Sequence, residues 1–365
     1  MPKKKAEAKK EAKKEVKPVV DNSEASFEMA KKAIIKKYGN IVSTLGDHED
    51  VNIPTISTGS LGLDIALGRG GMGMGRIYEI YGPSSGGKST LGVHVCIQAQ
   101  RRGMNALYID AEHAVDPVLF RNYGVNLKEL QLVQGFDGEQ NIDVLETFIK
   151  TGAFKVAVVD SVSALMPRKE SEDDIEKAQV GRHAMLMSKM LRRITPIANS
   201  TSTLIIFVNQ LRMKIGSYGN PETTTGGVGL GFYATGRISV RGPESVARRL
   251  KDKSTSEYYG HNTEFEIIKN KLAAPFKKAE LKLIYGKGYD YHWEALDLAE
   301  SLGIIEKSGA WYKYEGENIA QGEENAVIFL KENNDVYLEI RELLINQLGL
   351  KEIYERHGNP GPIFT

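Results

Sequence analysis

Apolar positions change rhythm along this chain, and the changes mark where one kind of structure gives way to another. From Phe27 to Tyr38 they fall at helical spacing with lysines between them ("FEMAKKAIIKKY"), which predicts one short amphipathic helix. After "IPTISTGSLGLDIALGRGGMGMG", a glycine-rich approach, the pattern becomes an alternation of short apolar runs and segments of helical period. "RIYEIYG", "NALYIDAE", "LQLVQGF", "KVAVVDSV" and "STLIIFVNQ" read as strands, and residues 89–102, 140–151 and 181–198 as helices. Near-continuous apolar strands joined by helices imply an α/β fold with a mostly parallel, twisted sheet covered on both faces. "GRISVRG" and "TEFEIIKNK" read as antiparallel extensions of that sheet. The segment from about 291 to 350 carries both tryptophans and reads as a small mixed α/β domain.

Composition narrows this picture only at the edges. At 365 residues the chain can bury one large core and a second small one, and no apolar run approaches the ~18 residues a membrane span needs. A formal net charge of +1 does not announce a nucleic-acid binder. The charge is uneven, however: residues 1–17 hold eight Lys and three Glu, a net +5, which leaves −4 on the rest. So little of residues 1–26 is apolar that this tail is expected to be disordered, either a solubilising tail or an electrostatic tether for DNA. Cys96 is the only cysteine, which excludes an internal disulfide and a cysteine zinc cluster. With no signal-peptide core and no transit-peptide composition, a cytoplasmic protein is expected.

The chemistry begins at "GPSSGGKS", which fits G-x-x-x-x-G-K-[ST] between an expected strand and an expected helix. Glycines let backbone N–H groups turn inward around phosphate oxygens, and the helix N-terminus adds its positive end. Gly82, Pro83, Ser84, Ser85, Gly86, Gly87, Lys88, Ser89 and Thr90 are therefore the expected nucleotide-binding run. Lys88 would reach the β and γ phosphates of ATP, and the Ser89 hydroxyl would ligate Mg²⁺ with Asp160 as the supporting carboxylate. Strands of an open parallel sheet present their ligands at their carboxyl ends. There stand Asp160, Glu112, suited to orient and deprotonate the attacking water, and Gln210, suited to sense the γ-phosphate. Each could instead be a solvated strand-end residue.

"QLRMKIGSYGNPETTTGG" follows the strand that ends at Gln210 and offers a core almost nothing to bury. Its Arg212, Lys214 and Tyr218 could hold phosphates and stack on bases, and its glycines and threonines let the backbone approach a strand closely. A second candidate is "ESEDDIEKAQVGRHAMLMSKMLRR", an acidic loop leading into a helix with Arg182, Lys189, Arg192 and Arg193. A solvated basic helix face is the rival reading of that helix.

"ISTGSLGLDIALG", "GRIYEIYGP", "YIDAEHAVDP", "VVDSVSALMP", "NQLRMKIG", "GNPETTTGG" and "KNKLAAPFKKAE" resemble the bacterial RecA recombinase family, in the family's order, over roughly residues 27–350. The resemblance implies a P-loop RecA-type core at 51–290, an N-terminal oligomerisation segment at 27–50, and a small domain at 291–365 that contacts duplex DNA. It implies DNA-dependent hydrolysis of ATP and a helical filament on single-stranded DNA that searches for homology in double-stranded DNA. Single-strand-binding and loader proteins are further candidate partners. The first DNA loop would be residues 171–182, with Val180, Gly181 and Arg182 and, on the helix beyond, Ser188 and Arg192. The second, 211–227, would use Arg212, Lys214, Tyr218, Gly219, Asn220, Pro221, Glu222, Thr223, Thr224, Thr225, Gly226 and Gly227. Asp116 joins the nucleotide contacts by the same resemblance. Lys269 and Lys271 resemble lysines that reach the neighbour's ATP, and Phe232 the interface aromatic that carries the coupling. Ser84, Gly86, Leu119, Met185, Val228 and Gly231 depart from the family's usual residues and mark a divergent member, as does the long segment "ESVARRLKDKSTSEYYGHN". A ring helicase on the same fold, a filament-forming binder without productive hydrolysis, and a small-molecule NTPase are the alternatives.

Overall fold

The near-continuous apolar runs become central strands because both of their faces are covered. In the computed structural model, which describes residues 23–48, 53–168, 181–213, 222–252 and 254–358, the chain forms two units, 1–52 and 53–365. The first contains helix α1 (Ser23–Tyr38), which buries none of its residues and exposes Phe27, Met29, Ile34 and Tyr38. It starts earlier than the apolar spacing suggests, so Ser23–Ser26 belong to the helix and not to the expected tail. Glu24 in the first turn meets the positive end of the helix dipole and favours that start. Residues 1–22 lie outside the described residues.

The second unit is built on a sheet. Strand β1 (Thr55–Ile56) pairs with β2 (Met72–Gly73) around helix α2 (Leu61–Leu67), which Ser60 caps by accepting from the Leu63 amide at 3.0 Å. Then come β3 (Ile77–Gly82), α3 (Lys88–Arg101), β4 (Asn105–Asp110), α4 (Pro117–Asn122), β5 (Leu130–Val133), α5 (Gly138–Lys150) and β6 (Phe154–Asp160). Helix α6 (Arg182–Thr201), β7 (Leu204–Met213), α7 (Gly229–Tyr233) and β9 (Gly236–Arg241) complete the parallel part, and β8 (Glu222–Thr224) pairs antiparallel with the end of β7. Strands β10 (Arg249–Lys251), β11 (Tyr258–Asn270), β12 (Lys278–Ile284) and β13 (Gly288–Tyr289) extend it. The order is β13-β12-β11-β9-β3-β7-β6-β4-β5, with β10 on β11 and β8 on β7. "GRISVRG" is not wholly antiparallel as expected: β9 runs parallel to β3 and turns antiparallel only toward β11. Helices cover both faces, giving two cores, one around Ile80, Val158 and Ile206 and one around Ile77, Leu107 and Phe207. The alternation along β3 and β7 decides which face each residue joins.

Two other expectations shift. "LQLVQGF" stays a strand only to Val133, at the sheet edge. The run "ETT" was expected to be part of a flexible polar loop but forms β8, paired with Leu211–Met213. Backbone hydrogen bonds need no apolar side chain, and Arg241 adds an ion pair to Glu222 at 2.6 Å. No described helix is long and apolar enough to cross a membrane.

The last part packs helices α8 (Tyr291–Ser301), α9 (Glu323–Glu332), α10 (Asn334–Gln347) and α11 (Lys351–His357) with a three-stranded sheet of β14 (Glu306–Ser308), β15 (Trp311–Tyr314) and β16 (Glu317–Gln321). Its own core holds Leu296, Tyr312, Leu330, Ile340 and Leu344. Two buried carboxylates tie it to α2. Glu294 accepts from the Ser60 hydroxyl and from the Gly62 amide at 2.9 Å, and Asp64 from Tyr354 at 2.7 Å and from Thr58. Burial pushes Glu294 up from 4.5 to about 7, against the hydrogen bonds it accepts, and Asp64 from 3.8 to about 6. The folded state therefore binds these protons more tightly than the unfolded chain. Their contribution to stability is full below the unfolded values and is lost as pH rises to 6–7. Glu294→Gln, neutral throughout, should remove about 2 kcal/mol of the stability change between pH 4.5 and 7. Chemical-denaturation midpoints at those two pH values measure it, and an unaltered pH slope would show that Glu294 does not carry the proton.

Candidate active site

The site forms where β3 stops. Gly82 has no room for a side chain, because a Cβ would stand 2.0 Å from the Val240 carbonyl oxygen on β9. Ser85 and Gly87 take positive φ angles of 60° and 99°, so the backbone curls before α3 begins at Lys88. The Tyr289 hydroxyl donates to the Gly87 carbonyl at 2.8 Å and pins the turn from outside. Lys88 folds back and donates to the Pro83 carbonyl at 2.5 Å. Burial lowers its pKa, while Asp160, Glu112 and Glu244 pull it back up. A curled loop, a helix N-terminus and a buried ammonium make a cradle for phosphate oxygens.

Register brings the strand ends level with this cradle. Gly82 lies opposite Gln210 and Asp110 opposite Asp160. Asp160 is buried and accepts from Tyr108 at 2.6 Å and from the Ser89 side chain. Burial raises its pKa; those two hydrogen bonds oppose the rise. A buried carboxylate bonded to a hydroxyl is a donor set that fits a magnesium ion, whose charge would offset the burial. Glu112 is exposed, and its Oε1 accepts from Ser161 Oγ at 2.5 Å and from Gln210 Nε2 at 3.1 Å. The expected residues Lys88, Ser89, Glu112, Asp160 and Gln210 thus form one cluster.

Other expected residues fall elsewhere. Lys269 and Lys271 do not join the cluster of their own chain. Lys269 pairs with Arg237 in the sheet, and Arg237 lies opposite Glu79, three residues before the phosphate loop. Lys269 donates to the carbonyls of Gly231 at 2.6 Å and Phe232 at 3.1 Å, and Lys271 to Phe232 at 3.2 Å. The Phe232 side chain beside them is 71% exposed, as a residue facing a neighbour would be. Asp116 caps α4 by accepting from the Val118 amide at 2.8 Å, and Leu119 packs partly buried against the core. Gly181, Arg182, Ser188 and Arg192 stand at the start and along the first half of α6. The bases of the two expected DNA loops meet there: a Cβ on Gly227 would stand 2.9 Å from Ala184, and one on Gly226 3.1 Å from Val162. Glu222, Thr223 and Thr224 form β8, with Thr225 beside it, and Arg212 is exposed opposite Thr223. Val180, Lys214, Tyr218, Gly219, Asn220 and Pro221 lie outside the described residues.

Sequence reasoning missed Ser161, Tyr108 and Tyr289. Ser161 had a signal, since it follows Asp160 directly. Tyr108 stands two residues before Asp110 on a strand beside β6, and only the register brings its hydroxyl to Asp160. Tyr289 comes from far along the chain, with no local signal.

Comparison with known proteins gives one answer. The family model described as the RecA N-terminal domain matches residues 25–290, and that of the RecA C-terminal domain matches 294–349. Protein RecA of Bacillus subtilis is 44% identical over 333 residues, which cover 91% of this chain and 94% of that protein. Protein RecA of Bacillus thuringiensis is 43% identical over 345 residues, 94% and 99% of the two chains.

Proposed function

The chain belongs to the RecA family, and from that premise we propose that it is an ATP-dependent homologous recombination protein. It forms a helical filament on single-stranded DNA, pairs that strand with homologous duplex and promotes strand exchange, with DNA-stimulated hydrolysis of ATP, in the cytoplasm. One observation carries the coupling. Gln210 touches the general-base candidate Glu112 with its side chain, while its backbone belongs to β7, the strand that runs on to Met213 and pairs with β8. A change felt at the phosphate cradle therefore has a route along the paired strands to Leu211–Met213 and Glu222–Thr224. This junction of a nucleotide site with a polar hairpin favours the recombinase over a small-molecule NTPase.

In this reading the phosphate loop binds ATP, and Ser89 and Asp160 hold Mg²⁺, which would neutralise charge on the β and γ phosphates. Lys88 binds phosphate oxygens. Glu112, fixed at Oε1 by Ser161 and Gln210, presents Oε2 to accept a proton from the attacking water. Lys269 and Lys271 act on the neighbour's ATP, and the exposed apolar side chains of α1 give the filament contact its hydrophobic part.

The test is ATP hydrolysis with Mg²⁺, with and without long single-stranded DNA, over a range of protein concentrations. Strong stimulation that grows with DNA length and is cooperative in protein supports the reading; equal rates with and without DNA remove it. Arg212 bears on the DNA contact itself. Arg212→Ala should weaken binding and lower the slope of log affinity against log salt by about one unit. An unchanged slope takes Arg212 off the phosphate contacts.

A further inference from the structure

The carboxylate of Glu79 is fully buried in the middle of β3 and is used by nothing described above. Its two oxygens face two different partners. Arg237 Nε lies 2.5 Å from Oε2, and Asn209 Nδ2 donates to Oε1 at 2.9 Å. Arg237 belongs to the patch that holds the interface lysines. Its guanidinium carbon stands 3.7 Å from where a Cβ on Gly231 would be, and the Gly231 carbonyl receives the Lys269 ammonium. Asn209 belongs to the other side. The same Nδ2 donates to the Thr225 carbonyl at 2.9 Å, and Oδ1 accepts from the Gln210 amide at 2.9 Å.

A buried carboxylate must keep its donors, since losing one leaves charge uncompensated. The Asn209 NH₂ group has two hydrogens and gives one to Glu79 and one to Thr225, so it bridges the carboxylate to the Thr225 carbonyl. If Arg237 shifts, the Glu79 carboxylate it holds shifts with it, and Asn209, bonded at both ends, carries the displacement to Thr225. The Tyr81 ring, 4.7 Å from the guanidinium carbon, limits how far Arg237 can swing.

We propose that Glu79 and Asn209 are positioning residues that couple the Lys269–Phe232 patch to the base of the hairpin at Thr225. The proposal rests on the reading that this patch faces a neighbour's nucleotide and that residues 222–227 face DNA. A spatial chain is not by itself a coupling, so the test measures one.

The experiment is the affinity of the full chain for a fluorescent oligothymidine, with and without a non-hydrolysable ATP analogue and Mg²⁺, for wild type, Glu79→Gln and Asn209→Ser. Glu79→Gln keeps the shape and an acceptor for Asn209 but sets an NH₂ group against Arg237. In both variants the gain in DNA affinity caused by the analogue should fall by about fivefold or more. Reciprocity requires the DNA-induced gain in analogue affinity to fall by the same factor, with analogue affinity in the absence of DNA unchanged. A merely structural role would lower DNA affinity equally with and without the analogue, and that result overturns the proposal. So does a full gain in both variants. If Glu79→Gln does not fold, Asn209→Ser alone decides between these outcomes. A wild-type chain with no analogue-dependent gain overturns the DNA reading first, and the proposal with it.

Discussion

Glu112→Gln is expected to slow DNA-stimulated ATP turnover by roughly 10²–10⁴-fold while ATP-dependent binding to single-stranded DNA persists. Glutamine is the right replacement because the geometry separates two roles of this side chain. Its Oε1 accepts from Ser161 and Gln210, and the amide oxygen of glutamine can keep both bonds. What the substitution removes is basicity at the other oxygen. The link from Gln210 to β7 stays intact, so nucleotide binding still reaches the hairpin. Steady-state hydrolysis and DNA binding by anisotropy measure the two properties on one preparation. Loss of DNA binding together with turnover would show that Glu112 carries the coupling itself. Turnover near the wild-type rate would move the base elsewhere on the strand ends.

The separation was partly legible in the sequence. The phosphate loop was readable because its chemistry acts through the backbone. Only glycine fits where Gly82 meets the Val240 carbonyl and where Gly87 turns through positive φ, so the requirement is written into residue type. Strand-end polar residues were readable for a similar reason, since a parallel sheet presents them at one edge. Contacts set by register were not readable. Nothing in "YEIYG" says that Glu79 lies between Arg237 and Asn209, because those partners come from strands far along the chain. The buried pair Asp64 and Glu294 was hidden in the same way, each looking like an ordinary surface carboxylate until the tertiary packing closes over it. Polarity misled in the opposite direction at "ETT", where backbone pairing to β7 and the Arg241 ion pair make a strand without apolar residues.

Some departures from the family's usual residues also gain meaning. Met185 and Val228 are 73% and 75% exposed and stand near the bases of the two expected DNA loops. Apolar side chains cannot pair with phosphates, so any contact they make to DNA lies on sugars or base faces and adds nothing to salt dependence. Leu119 is half-buried and packs on the core, so it offers less face to an adenine ring than an exposed aromatic would. Gly231 leaves the Arg237 guanidinium room beside the helix α7.

The position of Lys269 leads to the second large effect. Strand β11 pairs with β9 so that Lys269 sits level with Arg237 and Glu79, short of the end of β3 where the phosphate loop starts, and its ammonium is held on the Gly231 and Phe232 carbonyls. In the proposed filament a lysine so placed would serve a nucleotide on another copy, next to exposed Phe232. Lys269→Ala alone should therefore abolish most DNA-stimulated hydrolysis, as Glu112→Gln does alone. Mixed in equal amounts, the two variants should recover about a quarter of the wild-type rate. In a head-to-tail filament each ATP is completed by one neighbour, and about one interface in four pairs an intact Glu112 with an intact Lys269. The Lys269→Ala subunit supplies the base there and the Glu112→Gln subunit supplies the lysine. Hydrolysis in the mixture, followed while the ratio of the two is varied, should peak near equal amounts. A mixture no faster than its components would place Lys269 on the nucleotide of its own chain, which the sheet register argues against.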